Sequence, residues 1–177
     1  MNNTHLYAVR NIVLTILGVV FVSALAAQAQ TVTRSVSIAV EGAKQGIFVT
    51  DSPKSKIQAL GVSYEVKPGQ PGRGQLHSLV VTKEAGVSST QFFAAFFNNE
   101  MLKTVILEFH RLAANGTDEI YQTIKLTNAT VAHLKQYTKL GDQAKGQAPL
   151  LEDITLAFQH VEISSLGSKT VAADELK

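Results

Sequence analysis

The chain has no cysteine and no tryptophan, and only four of its 177 residues are proline. Without cysteine there can be no disulfide framework and no thiolate metal site, so packing, closure of a sheet or oligomerisation must supply stability. Charge of one sign is also missing. The formal net charge is +2, far from the one-sided basic surface that nucleic acid or an anionic membrane would need. No internal repeat is visible, no G-x-S-x-G elbow occurs, and no glycine loop that could cradle a phosphate runs into a helix.

Long apolar runs are scarce as well. The exception is Ile12–Ala27, which carries no charge but falls short of the roughly 20 residues of a spanning helix. A polar start bearing Arg10 precedes it, and Ala27-Gln28-Ala29 before Gln30 closes it with the small-x-small pattern of a signal-peptidase site. The expectation is a signal peptide over residues 1–29, cleaved between Ala29 and Gln30, with no stable membrane insertion afterwards. Removing Arg10, the leader's only charged side chain, leaves fifteen basic against fourteen acidic residues, a net charge of +1. A chain of about 150 residues can bury enough surface for one core, so one domain is expected over 30–166.

Period-two alternation dominates that domain and predicts half-buried strands. Val36, Ile38 and Val40 alternate with Ser37, Ala39 and Glu41. Leu60, Val62, Tyr64 and Val66 form a second apolar face, and Val105, Leu107 and Phe109 a third. Further on, Ile120, Ile124 and Leu126 read as inward while Val131 carries the apolar phase at an odd position, a slip that predicts a β-bulge. Ile154, Leu156 and Phe158 followed by Val161 and Ile163 repeat it. Two bulged strands suit a curved, closed sheet. Asn115-Gly116 predicts a hairpin between the strands on either side.

One stretch breaks the pattern. In "SSTQFFAAFFNN" the four phenylalanines Phe92, Phe93, Phe96 and Phe97 recur at helical spacing, which predicts a helix over about Ser88–Asn98 with Ser88 or Ser89 as N-cap and the asparagines as its stop. Four phenylalanines are too many for one narrow stripe, which points to a helix that plugs a barrel end or meets a partner; the plainer reading makes all four rings core. "VKPGQPGRGQ" (Val66–Gln75) and "KLGDQAKGQAP" (Lys139–Pro149) are hostile to regular strand and should project. The tail 167–177 lacks periodicity and is expected to be flexible.

Candidate chemistry is thin. His77, Lys83, Glu84, Ser88 and Ser89 are close in sequence, but the serines are better used as a helix cap. Glu108 and His110 share a strand face, with His133 or Gln122 possible neighbours, yet a solvated strand face has this composition without binding metal. The sequons at Asn115 and Asn128 matter only where a glycosylating pathway exists. No catalytic residue, metal or cofactor is expected.

From Gly72 onward a specific order of features emerges. "GRGQLHSLVVTKEAGVSSTQFFAAFFNNEMLKTVILEFHR", "YQTIKLTNATVAHLKQYT" and "PLLEDITLAFQHVEIS", with "SIAVEGAKQG" before them, resemble the Hcp family, the hemolysin-coregulated tube proteins of bacterial type VI secretion. The resemblance spans about Ser35–Ser164. It implies a mainly β, compact two-sheet barrel with one α-helix. It also implies hexameric rings that stack into a tube, effectors or a spike protein as partners, and no enzymatic activity. Interface candidates on this reading are Gln70, Arg73, His77, Phe93 and Phe97. Three features depart from the family pattern: Lys83–Thr90 lacks its Asp and Pro, the closing aromatic is absent near Ile163–Leu166, and the leader is unusual for a tube loaded in the cytoplasm. A GTG start at Val32 would remove the leader; its signal-like pattern argues instead for export to the periplasm or the medium. The alternative reading is an exported monomeric barrel binding a small apolar ligand.

Overall fold

The structure, a computed structural model, describes residues 35–50, 56–67, 76–138, 148–165 and 170–175. These fall within one compact unit, Val32–Lys177. In chain order the elements are β1 (Ser35–Gly42), β2 (Gly46–Ile47), β3 (Ile57–Ala59), β4 (Gly61–Lys67), β5 (Leu76–Glu84), α1 (Val87–Phe97), β6 (Leu102–Leu112), β7 (Asp118–Thr138), β8 (Leu150–Ala157), β9 (His160–Ser165) and β10 (Thr170–Glu175).

All pairings are antiparallel, and the strand order is β2-β1-β6-β7-β8-β5-β4. Closure comes from β3 and β4, which are nearly continuous: β4 pairs with β5, and after a bend at Leu60 the other piece, β3, pairs with β1. The Leu60 N–H holds the bend by donating to the Thr82 carbonyl at 2.8 Å. The result is a two-sheet barrel with one helix among the described residues, as the resemblance implied. Its interior is filled by Leu79, Leu102, Val105, Leu107, Leu126 and Ile154, all without exposed surface.

The second corner explains the phase slip read from the sequence. Strand β7 pairs with β9 up to Thr127 and with β8 from Thr130 on. Between them Asn128 adopts φ +52, a left-handed conformation that asparagine tolerates better than most residues. Its side chain donates to Gln159 Oε1 at 2.9 Å, at the matching break between β8 and β9. Burial accordingly moves from Ile124 and Leu126 to Ala129 and Val131 on β7, and from Phe158 to Val161 opposite.

Several expectations are corrected. The register places Ile120 opposite His110, on the outer polar face, because the β6–β7 ladder shifts between Phe109 and His110; Tyr121 takes the place beside Phe109 instead. Leu60 sits at the bend and is exposed rather than inward. The tail does not fray over Thr170–Glu175, which pairs along its length with β9; backbone hydrogen bonding there does not require an alternating apolar face. The helix starts at Val87 with Gly86 as N-cap. Ser89 is not the cap: its hydroxyl accepts from the Gly86 N–H at 2.9 Å from inside the first turn.

The hairpin at Asn115-Gly116 forms as read. Gly116 has φ +80, which glycine adopts without strain, and Asn115 Oδ1 accepts from the Thr117 N–H at 3.0 Å and its hydroxyl at 2.7 Å.

Candidate functional site

Helix α1 presents two unlike sides. Phe92 is 2% exposed and meets Phe48 edge-on with ring centroids 5.1 Å apart. Phe97 is 76% exposed, stacks on half-buried Phe93 at 6.1 Å and touches Phe96 at 5.6 Å. The expectation that all four rings are core therefore fails: an eleven-residue helix lying on a barrel wall has only one face to bury. Met101, just past the helix, is also exposed. Of the interface candidates, Phe97 is thus exposed and stacks on Phe93, which is half-buried. Gln70 and Arg73 lie outside the described residues, and His77 is on β5 opposite Val66.

A buried acid fixes the helix to the barrel. Asn98 and Asn99 end α1, Asn99 in a left-handed turn with φ +46, and the chain delivers Glu100 to a site where it is 2% exposed. Its Oε1 accepts from the Lys44 and Gln45 backbone N–H groups at 2.7 and 2.9 Å, and Oε2 accepts from the Gln45 amide at 2.8 Å. That amide also donates to the Gln91 carbonyl on the helix, and Gln91 Oε1 accepts from the Val49 N–H. Burial alone would raise the Glu100 pKa, but the N–H donors of Gln45 and Lys44, the Gln45 side chain and the Lys44 charge together hold it below the ordinary value. Gly42 makes room for this acid: a Cβ there would stand 2.5 Å from Glu100 Oε1. No sequence motif marked this clamp; its only signal is an acid directly after a helix stop.

Two further polar clusters lie on the walls. The first is sealed. Lys83 and Glu152, with side chains 4% and 0% exposed, pair at 2.7 Å. Lys83 Nζ also donates to the Glu84 carbonyl and the Ser89 hydroxyl, Ser89 donates to Glu152 Oε1 at 2.8 Å, and Gln136 donates to Oε2 at 3.0 Å. Every charge in it is matched, which is the condition for burying one. Of the residues grouped around His77 in the sequence, the structure therefore joins Lys83 and Ser89, but as helix-to-sheet cement.

The second cluster is open and lies on the outer face of β1, β3 and β6. Glu108 pairs with Lys56 and sits 3.8 Å from His110 Nε2. His110 also meets Ser37 Oγ at 3.0 Å and Asp118 Oδ2 at 2.9 Å. The pairing of Glu108 with His110 was legible in the sequence. His133 is opposite Thr155 on the other sheet, and Gln122 pairs with Phe109. Among the described residues no group of three or more His, Cys, Asp or Glu is arranged to hold a metal ion, and no helix is long and apolar enough to cross a membrane.

A closed antiparallel barrel and, among the described residues, one lateral helix whose outer edge exposes Phe96 and Phe97 define the class of protein. The comparisons narrow that class. The model of the family described as "Type VI secretion system effector, Hcp" matches residues 37–164, and the chain belongs to the Hcp family. A "Major exported protein" of Pseudomonas aeruginosa is 26% identical over 159 residues, covering 78% of this chain and 92% of that one. Among solved structures, an Hcp protein superposes with TM-score 0.71 at 20% identity, over 82% of this chain and 99% of the other. The secreted protein Hcp3 of Pseudomonas aeruginosa gives 0.67 at 23% identity with the same coverage. At these identities the structural likeness speaks to the fold.

Proposed function

We propose that this chain is a structural, ring-forming protein: copies assemble into homo-hexamers that can stack into a type VI secretion tube, with effectors or a spike protein as further partners. The family match over residues 37–164 carries the reading. It is supported by the exposed ring of Phe97 stacked on half-buried Phe93, an aromatic surface of the kind that protein interfaces cover. Phe97 packs against the neighbouring subunit, and the loop containing Gln70 and Arg73, with His77 at its base, forms the complementary contact; a surface docking on a different surface of the next copy closes a ring. The role is architectural and asks for no enzymatic step, metal or cofactor.

Export through the leader would place the rings outside the cytoplasm, apart from a tube that is loaded there. The Pseudomonas relative is described as exported, and the Ala27–Ala29 pattern supplies a route, with cleavage before Gln30 releasing the protein to the periplasm or the medium. Phe97→Asp tests the assembly: analytical ultracentrifugation should show rings for the parent and monomers for the variant, at unchanged circular dichroism. Rings of equal stability in the variant would remove the helix face from the interface.

A further inference from the structure

We propose that Ser37, His110 and Asp118 form an activated-serine site on the outer wall of the barrel, competent for acyl transfer from small carboxylic esters. Ser37 Oγ lies 3.0 Å from His110 Nε2, and His110 Nδ1 lies 2.9 Å from Asp118 Oδ2. A carboxylate can only accept, so Nδ1 carries the imidazole proton. Nε2 of the neutral ring is then a bare acceptor aimed at the serine hydroxyl. Glu108 Oε2 also lies near that hydroxyl, but at 3.5 Å, so the histidine holds the shorter bond. Nucleophile, base and orienting acid are thus in the mutual order that general-base activation of a serine requires.

The register shows how the strands build it. Ser37 pairs with Glu108, and His110 lies one step diagonal, opposite Ser35. The ladder shift between Phe109 and His110 puts Ile120 opposite His110 and Asp118 opposite Leu112, so Asp118 shares the face of His110 and sits diagonal to it. In the register kept by Phe109 and Gln122, Asp118 would turn to the other face. A bulge that re-aims one side chain is a recurrent device beside reactive groups.

Ser37 is 5% exposed and lies in a cleft of about 340 Å³ shared with Lys56, Gln58, Glu108, His110 and Asp118. The Ser37 backbone belongs to the ladders with β3 and β6, so charge on the developing oxyanion must be met by a side chain. Lys56, held by Glu108 beside the serine, is the cation at hand, and one flexible ammonium makes a slow enzyme. In the reaction, Oγ bonds to the ester carbonyl carbon while its proton passes to Nε2. Collapse then breaks the bond to the alkoxy oxygen, and the alcohol leaves with that proton. Water attacks the acyl-serine, giving a proton to Nε2; collapse returns the proton to Oγ and releases the acid.

The test treats the intact folded chain with a small fluorophosphonate, followed by digestion and mass spectrometry that separates Ser35 from Ser37. The expected result is an adduct on Ser37 that disappears when the reaction is run in denaturing urea, with labelling slowed about a hundredfold in His110→Gln and less in Asp118→Asn. Absence of an adduct from the native chain, or equal labelling in urea, overturns the proposal. So does an undiminished rate in a His110→Gln protein whose circular dichroism is unchanged. The ring reading does not depend on the result, since assembly is measured separately.

Discussion

Two of the lysine–glutamate pairs of this barrel sit in opposite circumstances. Lys83 and Glu152 are closed off, each saturated by Ser89, Gln136 or a carbonyl, whereas Lys56 and Glu108 stand at the edge of an open cleft beside a serine and a histidine. The same residue types therefore do different work. Where water is excluded, a charge must be matched by fixed partners, and the pair ties the start of α1 to β5 and β8. Where water remains, the partners can exchange, which is the condition for meeting a ligand.

Breaking the sealed pair should have the largest effect. Glu152→Ala leaves the Lys83 ammonium buried without its counter-ion and should destabilise the fold by about 3–5 kcal/mol in urea denaturation. Phe92→Ala should cost a similar amount, about 3–5 kcal/mol, from the cavity left against Phe48, while Phe97→Ala should change monomer stability by less than about 0.5 kcal/mol. Equal losses for the two phenylalanines would mean that α1 does not lie with one face on the barrel.

Gly42→Ala sharpens the comparison at the third buried charge. Its Cβ would collide with Glu100 Oε1 and approach Phe48, so a loss of about 1–3 kcal/mol is expected. Glu100 itself gives a pH signature. Its pKa is lowered in the folded chain, so its contribution is full above the ordinary glutamate value of 4.5 and disappears as pH falls through the lower folded-state value. The stability gap between the parent and Glu100→Gln should be constant near neutrality and shrink below about pH 4.5, as read by urea midpoints across pH. A gap independent of pH would show that the clamp does not need the charge. Among the charged groups the smallest effect belongs to the open cluster: Glu108→Gln should shift stability by under about 1 kcal/mol, less still in high salt.

How much of this was legible in the sequence depended on whether a feature was local. The alternation of Val36, Ile38 and Val40 and of Val105, Leu107 and Phe109 placed β1 and β6 correctly, because period two is written in adjacent residues. The phase slip between Leu126 and Val131 was legible as a bulge, and the structure makes of it a corner at Asn128. The shift beside His110 was not legible: Ile120 and Tyr121 are both apolar enough to face inward, and only the register decides. That shift also sets Asp118, so the alignment of Ser37, His110 and Asp118 could not be read from a chain in which serine and histidine stand 73 residues apart. Glu100 escaped notice for the same reason, since its donors at Lys44 and Gln45 come from across the fold.

A barrel proposed to meet copies of itself should be a ring in solution. Light scattering on size-exclusion fractions of the Gln30–Lys177 protein tests it most directly. The expected particle has about six subunits' mass, a closed ring built by docking one surface on another, and falls to a single subunit in Phe97→Asp. A parent protein that elutes with the mass of one folded subunit across the accessible concentration range would contradict it.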